Sequence, residues 1–216
     1  MEQNADQLAL FPLGLVLLPS TPLPLHIFEQ RYRLMITECI KQGTPFGVVY
    51  SGHGSTQTIG CAARIERVIK RYKDGRIDIL CLGERRFRTR ATDSTSEPWL
   101  SAAVDFFEDR DLDRRDELTQ LARDAVKQLE LYAAVVGGSI EREALLELSP
   151  QQLSFVAAAS SMFSLEQRQL LLELQSAVKR LTIVRQTLAG AVARRRMARA
   201  AQRVIGKHQN IAHLLN

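Results

Sequence analysis

The sequence is poor in the residues that build metal, thiol and disulfide sites. Its 216 residues include only three cysteines and four histidines, and aromatic residues make up 6%. An odd number of cysteines without metal-binding spacing predicts neither a disulfide framework nor a zinc site, and the histidines lack the H-E-x-x-H spacing. We therefore expect a cytoplasmic protein with no metal and no cofactor. Its thiols should pack in a core: Cys39, Cys61 and Cys81.

Long uninterrupted apolar runs are also missing. The most apolar stretch, Leu10–Arg33, contains four of the seven prolines, all between Pro12 and Pro24. A membrane-spanning helix needs about 20 consecutive apolar residues and proline interrupts helices, so we expect neither a membrane span nor a secretory signal. The prolines predict a buried extended segment instead. From Pro24 onward, the apolar spacing predicts an amphipathic helix whose buried face includes Ile27 and Phe28.

Acidic residues are absent after Glu173. Residues 1–112 carry 14 basic and 14 acidic side chains, residues 113–173 carry 6 and 10, and the remainder carries 9 basic ones. The C-terminal segment therefore supplies the whole net charge of +5. At about 100° per residue, five of its cations share one helical sector, which predicts a basic amphipathic helix. These five cations are Arg195, Arg196, Arg199, Arg203 and Lys207.

Residues 46 to 107 have the pattern of short strands separated by polar turns. The Asp74-Gly75 pair predicts a hairpin turn, because a tight reversal needs a positive φ that glycine adopts without a Cβ clash. Short strands at this spacing are typical of a barrel or a sandwich. The predicted strands are Phe46–Tyr50, Cys61–Tyr72, Arg76–Leu82, Phe87–Ala91 and Leu100–Phe106.

After Asp111 the apolar spacing becomes helical. Capping residues mark where these helices begin and end. The sequence predicts a helix that includes Leu118–Tyr132 and ends at Gly137-Gly138, a second that begins at Ser149-Pro150, and a third that begins at the Ser164/Gln167 capping box and keeps an apolar face as far as Leu188.

Six spaced motifs occur in order along the chain: Phe11-Pro12, Pro22–Tyr32, Phe46–Val48, Ile59-Gly60 with Ala63–Ile65, Asp74–Arg76 and Gly83–Phe87. As a set they resemble the Lon substrate-binding domain, the N-terminal region of Lon-type ATP-dependent proteases, over roughly residues 8–190. The resemblance implies an α+β fold in which a PUA-like β-barrel is followed by an α-helical bundle. We place the barrel at residues 8–111 and the bundle at residues 112–216.

A Lon-type protease would continue into an ATPase module with a G-x-x-x-x-G-K-[ST] loop and then a Ser-Lys peptidase. The sequence has one Gly-Lys pair, Gly206-Lys207, which is followed by His208 and has Ala201 where the first loop glycine should stand. Such a segment cannot form the phosphate-binding loop. We therefore expect a stand-alone, non-enzymatic protein without ATPase or protease activity.

The resemblance implies a protein-binding module that captures exposed apolar segments of unfolded or tagged polypeptides, with a separate protease or ATPase as a further partner. Such a segment would lie in an apolar groove and add backbone hydrogen bonds to an edge strand. The candidate contacts are large apolar residues near the edges of the motifs. They are Leu13, Leu15, Phe28, Tyr32, Tyr50 and Trp99.

Nucleic-acid binding is the alternative hypothesis. Strand alternation places Phe87 in the core and predicts that Arg86, Arg88 and Arg90 line the solvent side as a basic stripe. Together with the C-terminal cations, this stripe could contact phosphates, although a solvated strand face balanced by nearby acids is the simpler explanation. Binding that weakens steeply with salt would distinguish the two hypotheses.

Overall fold

The computed structural model describes residues 6–52 and 54–212, with side chains described as far as residue 202. Among these described residues, six strands occupy the first half of the chain and one helix lies among them, which confirms the α+β class. The strands are β1 Asp6–Leu13, β2 Pro22–Ile27, β3 Phe46–Gly52, β4 Ser55–Arg71, β5 Ile77–Asp93 and β6 Ser101–Phe107. The helices are α1 Gln30–Gln42, α2 Arg115–Val136, α3 Arg142–Glu147, α4 Pro150–Ala158, α5 Leu165–Glu173 and α6 Ala177–Ala212.

Five of the strands close into a barrel. The sheet order is β2-β5-β4-β3-β1-β6, and β6 pairs back onto β5. The β1–β3 pair is parallel and the other pairs are antiparallel. The long strands β4 and β5 make closure possible, because one half of β5 pairs with β2 and the other half with β6. The barrel predicted from the family resemblance is therefore present.

The barrel core is built around Phe87, which is fully buried. Its ring occupies the space where side chains of Gly47 and Gly60 would lie: a Cβ added at either glycine would sit 2.7 Å from Phe87 Cζ. Aliphatic side chains complete this cluster, including Leu8 and Leu10 on β1. The three cysteines are also buried and free, which confirms that they pack in the core.

The helix predicted from Pro24 begins later, at Gln30. Pro24 and Ile27 lie in β2, which pairs antiparallel with β5, so the prediction of a helical Ile27 and a buried Phe28 is wrong. Proline has no N–H to donate to a helix, whereas strand pairing satisfies the carbonyls around it. Phe28 follows the strand and is 62% exposed.

Gly83 does not separate two strands, as the sequence pattern suggested, because β5 runs through it without a break. The loop before β2 packs against this point. Gly83 N–H donates to Thr21 O (3.0 Å), and Ser20 N–H donates to Gly83 O (2.7 Å). A Cβ at position 83 would collide with Leu18 O. This glycine therefore allows a close backbone approach rather than a turn.

The predicted helix boundaries are largely confirmed. α2 ends at Gly137 with φ 83°, and Ser164 and Gln167 form the capping box of α5. At α4, Gln152 N–H donates to Ser149 Oγ (3.2 Å). The apolar face beyond Ser164 does not belong to one helix, however, because α5 ends at Glu173 and α6 begins at Ala177.

The break between α5 and α6 has an identifiable cause. The Asp111 carboxylate accepts hydrogen bonds from the N–H groups of Ala177 (2.9 Å) and Val178 (3.2 Å). A carboxylate at this position satisfies N–H groups that a helix start leaves without partners. Asp111 is distant in sequence, so periodicity could not reveal this start. Among the described helices, none is both long and apolar enough to cross a membrane.

The chain forms two compact units. One contains the chain up to Arg110 together with Ala158–Ser176, and the other contains Asp111–Ala157 and the chain from Ala177 onward. The sequence placed all residues from 112 to 216 in a bundle, whereas α5 groups with the barrel. Two hydrogen bonds explain this: Gln169 Nε2 donates to Ile59 O (3.1 Å), and Arg86 Nη1 donates to Leu172 O (3.1 Å).

The second unit has its own apolar core. Buried side chains of α2 pack against the first turns of α6, with Leu118, Ala125 and Leu181 at the centre. Arg180 is fully buried in this unit; its guanidinium lies 3.7 Å from the centre of the Phe155 ring, and Nε donates to Ser154 Oγ (2.6 Å).

Candidate functional site

A cleft of about 550 Å³ lies beside the first half of β1 and is the candidate site. All of its lining residues belong to the barrel unit. We call it the β1–α1 cleft. It is lined by Asp6–Ala9 of β1; Met35, Glu38, Cys39 and Gln42 of α1; Thr44 and Pro45 before β3; and Ala62, Glu84, Arg85, Glu97, Trp99, Ser101 and Phe106.

One wall of the cleft is an open strand edge. Residues 6–9 of β1 pair with β6, whereas pairing with β3 starts only at Leu10. Within the described chain, no strand lies on the other side of residues 6–9. β3 cannot extend further because it begins at Phe46, directly after Pro45, which has no N–H.

A single hydrogen bond shows which way the backbone N–H and C=O groups of β1 point. Leu10 N–H donates to Leu100 O (2.7 Å), so the peptide groups of residues 6, 8 and 10 face β6. Because backbone groups alternate along a strand, the N–H and C=O of Gln7 face the open side, toward the cleft. The side chains alternate in the same way: Leu8 is in the barrel core, and Gln7 is exposed.

Two aromatic side chains line the cleft. Trp99, the single tryptophan of the chain, is half-buried in the loop before β6. Phe106 of β6 is half-buried and stacks under the guanidinium of Arg85, which lies 4.0 Å from its ring centre. Burial raises the pKa of the Cys39 thiol, so this group is protonated at neutral pH and lines the cleft as an apolar group.

The charge of the cleft is acidic although the whole chain is basic. Its lining contains four carboxylates and one cation, Arg85. Arg64 Nε donates to Glu84 (2.5 Å), and Lys41 lies 3.9 Å from Glu38. The other two acids form no ion pair within the part of the chain that is described. These two acids are Asp6 and Glu97.

The structure does not bring the six predicted peptide contacts together. Only Trp99 lines the β1–α1 cleft. Tyr32 is buried and stacks on Phe11 with ring centres 4.1 Å apart, and Tyr50 is buried in β3. Tyr32 and Tyr50 are thus core residues rather than an accessible surface. The remaining three, all outside the cleft, are the half-buried Leu13 and Leu15 and the exposed Phe28.

Phe28 belongs to a small exposed cluster with His26 and Tyr72. His26 Nδ1 and Asp78 Oδ1 are 2.5 Å apart, and Tyr72 Oη donates to Asp78 Oδ2 (2.8 Å). The hydrogen bond from His26, followed by that from Tyr72, lowers the pKa of Asp78. Lys70 and Arg76 lie near the Tyr72 ring, at 4.5 and 4.9 Å from its centre.

The basic stripe on β5 is interrupted, and the prediction that Arg86 lines the solvent side is wrong. Arg86 is 2% exposed. Its guanidinium pairs with the buried Asp109 (2.8 Å) and also donates to the carbonyls of Leu172 and Leu174. Arg86 and Phe87 pair in regular register with Cys61 and Gly60, so their side chains lie on opposite faces of β5. Phe87 enters the barrel core, and the face that carries Arg86 is covered by the end of α5 instead of by solvent.

The other two arginines of this stripe are exposed, as predicted. Arg90 pairs with Asp105 on β6, and the Arg88 guanidinium lies 6.0 Å from the centre of the Phe107 ring.

The prediction of a basic C-terminal helix is confirmed in part. The segment belongs to α6, a single helix that continues to Ala212. Its side chains from 193 to 202 are all exposed, including Arg195, Arg196 and Arg199. Arg203 and Lys207 lie outside the described side chains.

Sequence reasoning missed most of the cleft. Gln7, Glu97 and Phe106 lie in none of the six motifs, and they come together only when β1 and β6 pair. β1 begins four residues before its pairing with β3, and this offset creates the open edge that lines the cleft. The offset depends on strand register, which the sequence pattern does not reveal. No group of three or more His, Cys, Asp or Glu side chains capable of holding a metal occurs among the residues that the structure describes.

Comparison with known proteins agrees with this fold. The family model for the ATP-dependent protease La (LON) substrate-binding domain matches residues 7–190. A Lon N-terminal domain protein from Xanthomonas campestris is 26% identical, with a TM-score of 0.59 over 83% of this chain and 96% of that one. The N-terminal domain of the Mycobacterium avium complex Lon protease has 18% identity and a TM-score of 0.66 over 85% and 98% of the two chains.

Proposed function

Because this chain belongs to the family of Lon substrate-binding domains, we propose that it is a non-enzymatic module that binds segments of other polypeptides in the β1–α1 cleft. The family model describes a substrate-binding domain and neither the ATPase nor the peptidase of these proteases. The observation that carries the proposal is the cleft itself. It combines an open strand edge with the exposed parts of Trp99 and Phe106, in a volume of about 550 Å³.

The physical reason for binding is that the cleft offers both kinds of contact that an extended segment needs. Half-buried aromatic rings remove apolar side chains of a ligand from water, and aromatic residues in partly buried pockets contribute most at peptide interfaces. The cleft volume falls in the range typical of ligand-binding pockets. The ligands we propose are therefore exposed apolar segments of unfolded polypeptides.

Fluorescence anisotropy tests this function with a labelled, disulfide-dependent protein that has been reduced and carboxymethylated, so that it stays unfolded. We expect saturable binding that becomes at least about tenfold weaker in Trp99→Ala, because the largest aromatic side chain of the lining is removed. Phe28→Ala is the matched control, since this ring is exposed and lies outside the cleft. Absence of saturable binding would refute the function, and an effect of Phe28→Ala alone would place the site elsewhere.

A second candidate function is association with nucleic acid through α6. The observation that favours it is the exposed stretch from 193 to 202, which carries Arg194, Arg195, Arg196 and Arg199 and no acid. Phosphate contacts release counterions, so binding of a labelled oligonucleotide should weaken steeply with added salt. Replacing Arg195 and Arg196 by Glu should reduce the salt slope by about 2, whereas an unchanged slope would argue against this surface.

A further inference from the structure

We propose that the open edge of β1 accepts its ligand as an added strand, and that this ligand is an extended segment in which cationic residues alternate with apolar ones. The inference rests on the proposed function and defines its substrate class. Three observations carry it: how the sheet edges of the barrel unit differ, which backbone groups face the cleft, and how charge is distributed around it.

The first observation is that the open edges of β2 and β4 are protected against pairing with a further strand, whereas the open edge of β1 is not. β2 ends the sheet order, but Pro22 and Pro24 remove two of its donors. The second half of β4 extends beyond its pairing with β3; it carries four cations and pairs with β5 through register shifts. Cations and bulges discourage strand pairing. Residues 6–9 of β1 have none of these features.

The second observation is that the unprotected edge offers a matched donor and acceptor. The N–H and C=O of Gln7 both face the cleft, and an extended peptide beside them can satisfy both. Such a peptide occupies the line along which β3 would continue before Phe46. Its alternate side chains then point in opposite directions, so that only every second residue faces Trp99 and the α1 side of the cleft.

The third observation is the sign of the charge. The lining contains four acids against one cation, Arg85, which already stacks on Phe106. Arg64 and Lys41 pair with Glu84 and Glu38, so Asp6 and Glu97 are the acids that can attract a cation of the ligand. A cationic ligand gains attraction from these acids, whereas an acidic ligand is repelled. Charge complementarity therefore selects lysine or arginine between the apolar residues of the ligand.

Capped peptides in which valine alternates with lysine, or with glutamate, test the charge preference. Because Trp99 is the single tryptophan, its emission reports occupancy of the cleft directly. At low salt we expect the lysine peptide to bind at least about tenfold more tightly than the glutamate peptide. In Glu97→Lys this preference should shrink, while in Glu147→Lys, an exposed α3 residue outside the cleft, it should persist.

Strand addition is tested on the backbone of both partners. A lysine peptide with alternate N-methylated amides lacks donors and should bind about fivefold more weakly or worse. Gln7→Pro removes an N–H that faces the open side, so a similar loss is expected, whereas Gln7→Ala keeps this N–H and should lose less affinity than Gln7→Pro. The N-methylated peptide gives an answer even if Gln7→Pro fails to fold.

The outcomes separate the two proposals. If lysine and glutamate peptides bind equally, or if N-methylation has no effect, the strand-addition inference is overturned while binding in the cleft stands. If neither peptide changes Trp99 emission and the unfolded protein does not bind either, both proposals fail. Tighter binding of the lysine peptide together with sensitivity to N-methylation supports both.

Discussion

Neutralising Asp109 should destabilise the barrel unit far more than neutralising Asp105, although each acid pairs with an arginine of β5. Arg86 and Asp109 have side chains that are 2% and 0% exposed, with Nη2 and Oδ1 2.8 Å apart. Arg90 and Asp105 have side chains that are 51% and 41% exposed. Each pair is thus an arginine of β5 with an aspartate, and the two pairs differ mainly in how far they are buried.

The expected magnitudes follow from burial. Removing one partner of a buried pair leaves a charge without compensation, which costs about 3–5 kcal/mol. In Asp109→Ala the guanidinium keeps the carbonyls of Leu172 (3.1 Å) and Leu174 (2.5 Å), so we expect a loss near the lower end, about 3 kcal/mol. The exposed pair is screened by water, so Asp105→Ala should cost at most about 1 kcal/mol.

Urea unfolding followed by Trp99 emission measures both losses, because this tryptophan belongs to the barrel unit. The double replacement Arg86→Met with Asp109→Leu should recover part of the loss seen in Asp109→Ala, since no buried charge then remains. Equal destabilisation by Asp109→Ala and Asp105→Ala would refute the reasoning. A loss below about 1 kcal/mol for Asp109→Ala would refute it as well.

Other predictions concern packing, capping, pH and thiol chemistry. Gly60→Ala places a methyl group against the backbone oxygen of Val48 and 2.7 Å from Phe87 Cζ, so it should cost about 3 kcal/mol in urea unfolding. Gly14→Ala, whose added methyl group meets nothing within 4 Å, should cost almost nothing. Ser164→Ala removes the capping box of α5 and should cost about 1 kcal/mol in the same assay. The folded-state pKa of Asp78 is lowered, so its ionised form stabilises the fold above about pH 4. This stabilisation is lost as the pH falls through the lowered pKa. Asp78→Asn should therefore flatten the profile of stability against pH in that range. Burial raises the pKa of Cys81 to about 12, so iodoacetamide at pH 8 should label this residue only after unfolding, and rapid native labelling would contradict the burial.

Local features of the fold were predictable because their causes lie within a few residues. The Asp74-Gly75 turn is present, with Gly75 at φ 87°, and the cap at Ser164 needs only Gln167 three residues later. The family resemblance added the barrel. Boundaries failed where the deciding partner is distant in sequence: the strand pairing of β2 with β5 displaced a predicted helix start, and Asp111 set the start of α6.

The candidate site was far less predictable than the fold. Trp99 alone among the predicted peptide contacts lines the β1–α1 cleft, and Arg86, predicted as a solvent-facing cation, is buried with Asp109. Size and apolarity suggested Tyr32 and Tyr50 as contacts, but the same properties also place residues in a core. A single sequence cannot separate these two outcomes, because both follow from apolar surface leaving water.

The sequence by itself determined where most of the strands from β3 onward and the long helix α2 lie, where several helices are capped, and that the excess positive charge lies at the C-terminal end. The tertiary structure decided the register of β1 against β3 and β6, and with it the open edge at Gln7 and the acidic cleft beside it. Turn, cap and periodicity signals act over a few residues, whereas an unpaired edge exists only once distant strands have paired. For this reason the fold could be predicted from the chain, while the candidate site emerged only from the barrel.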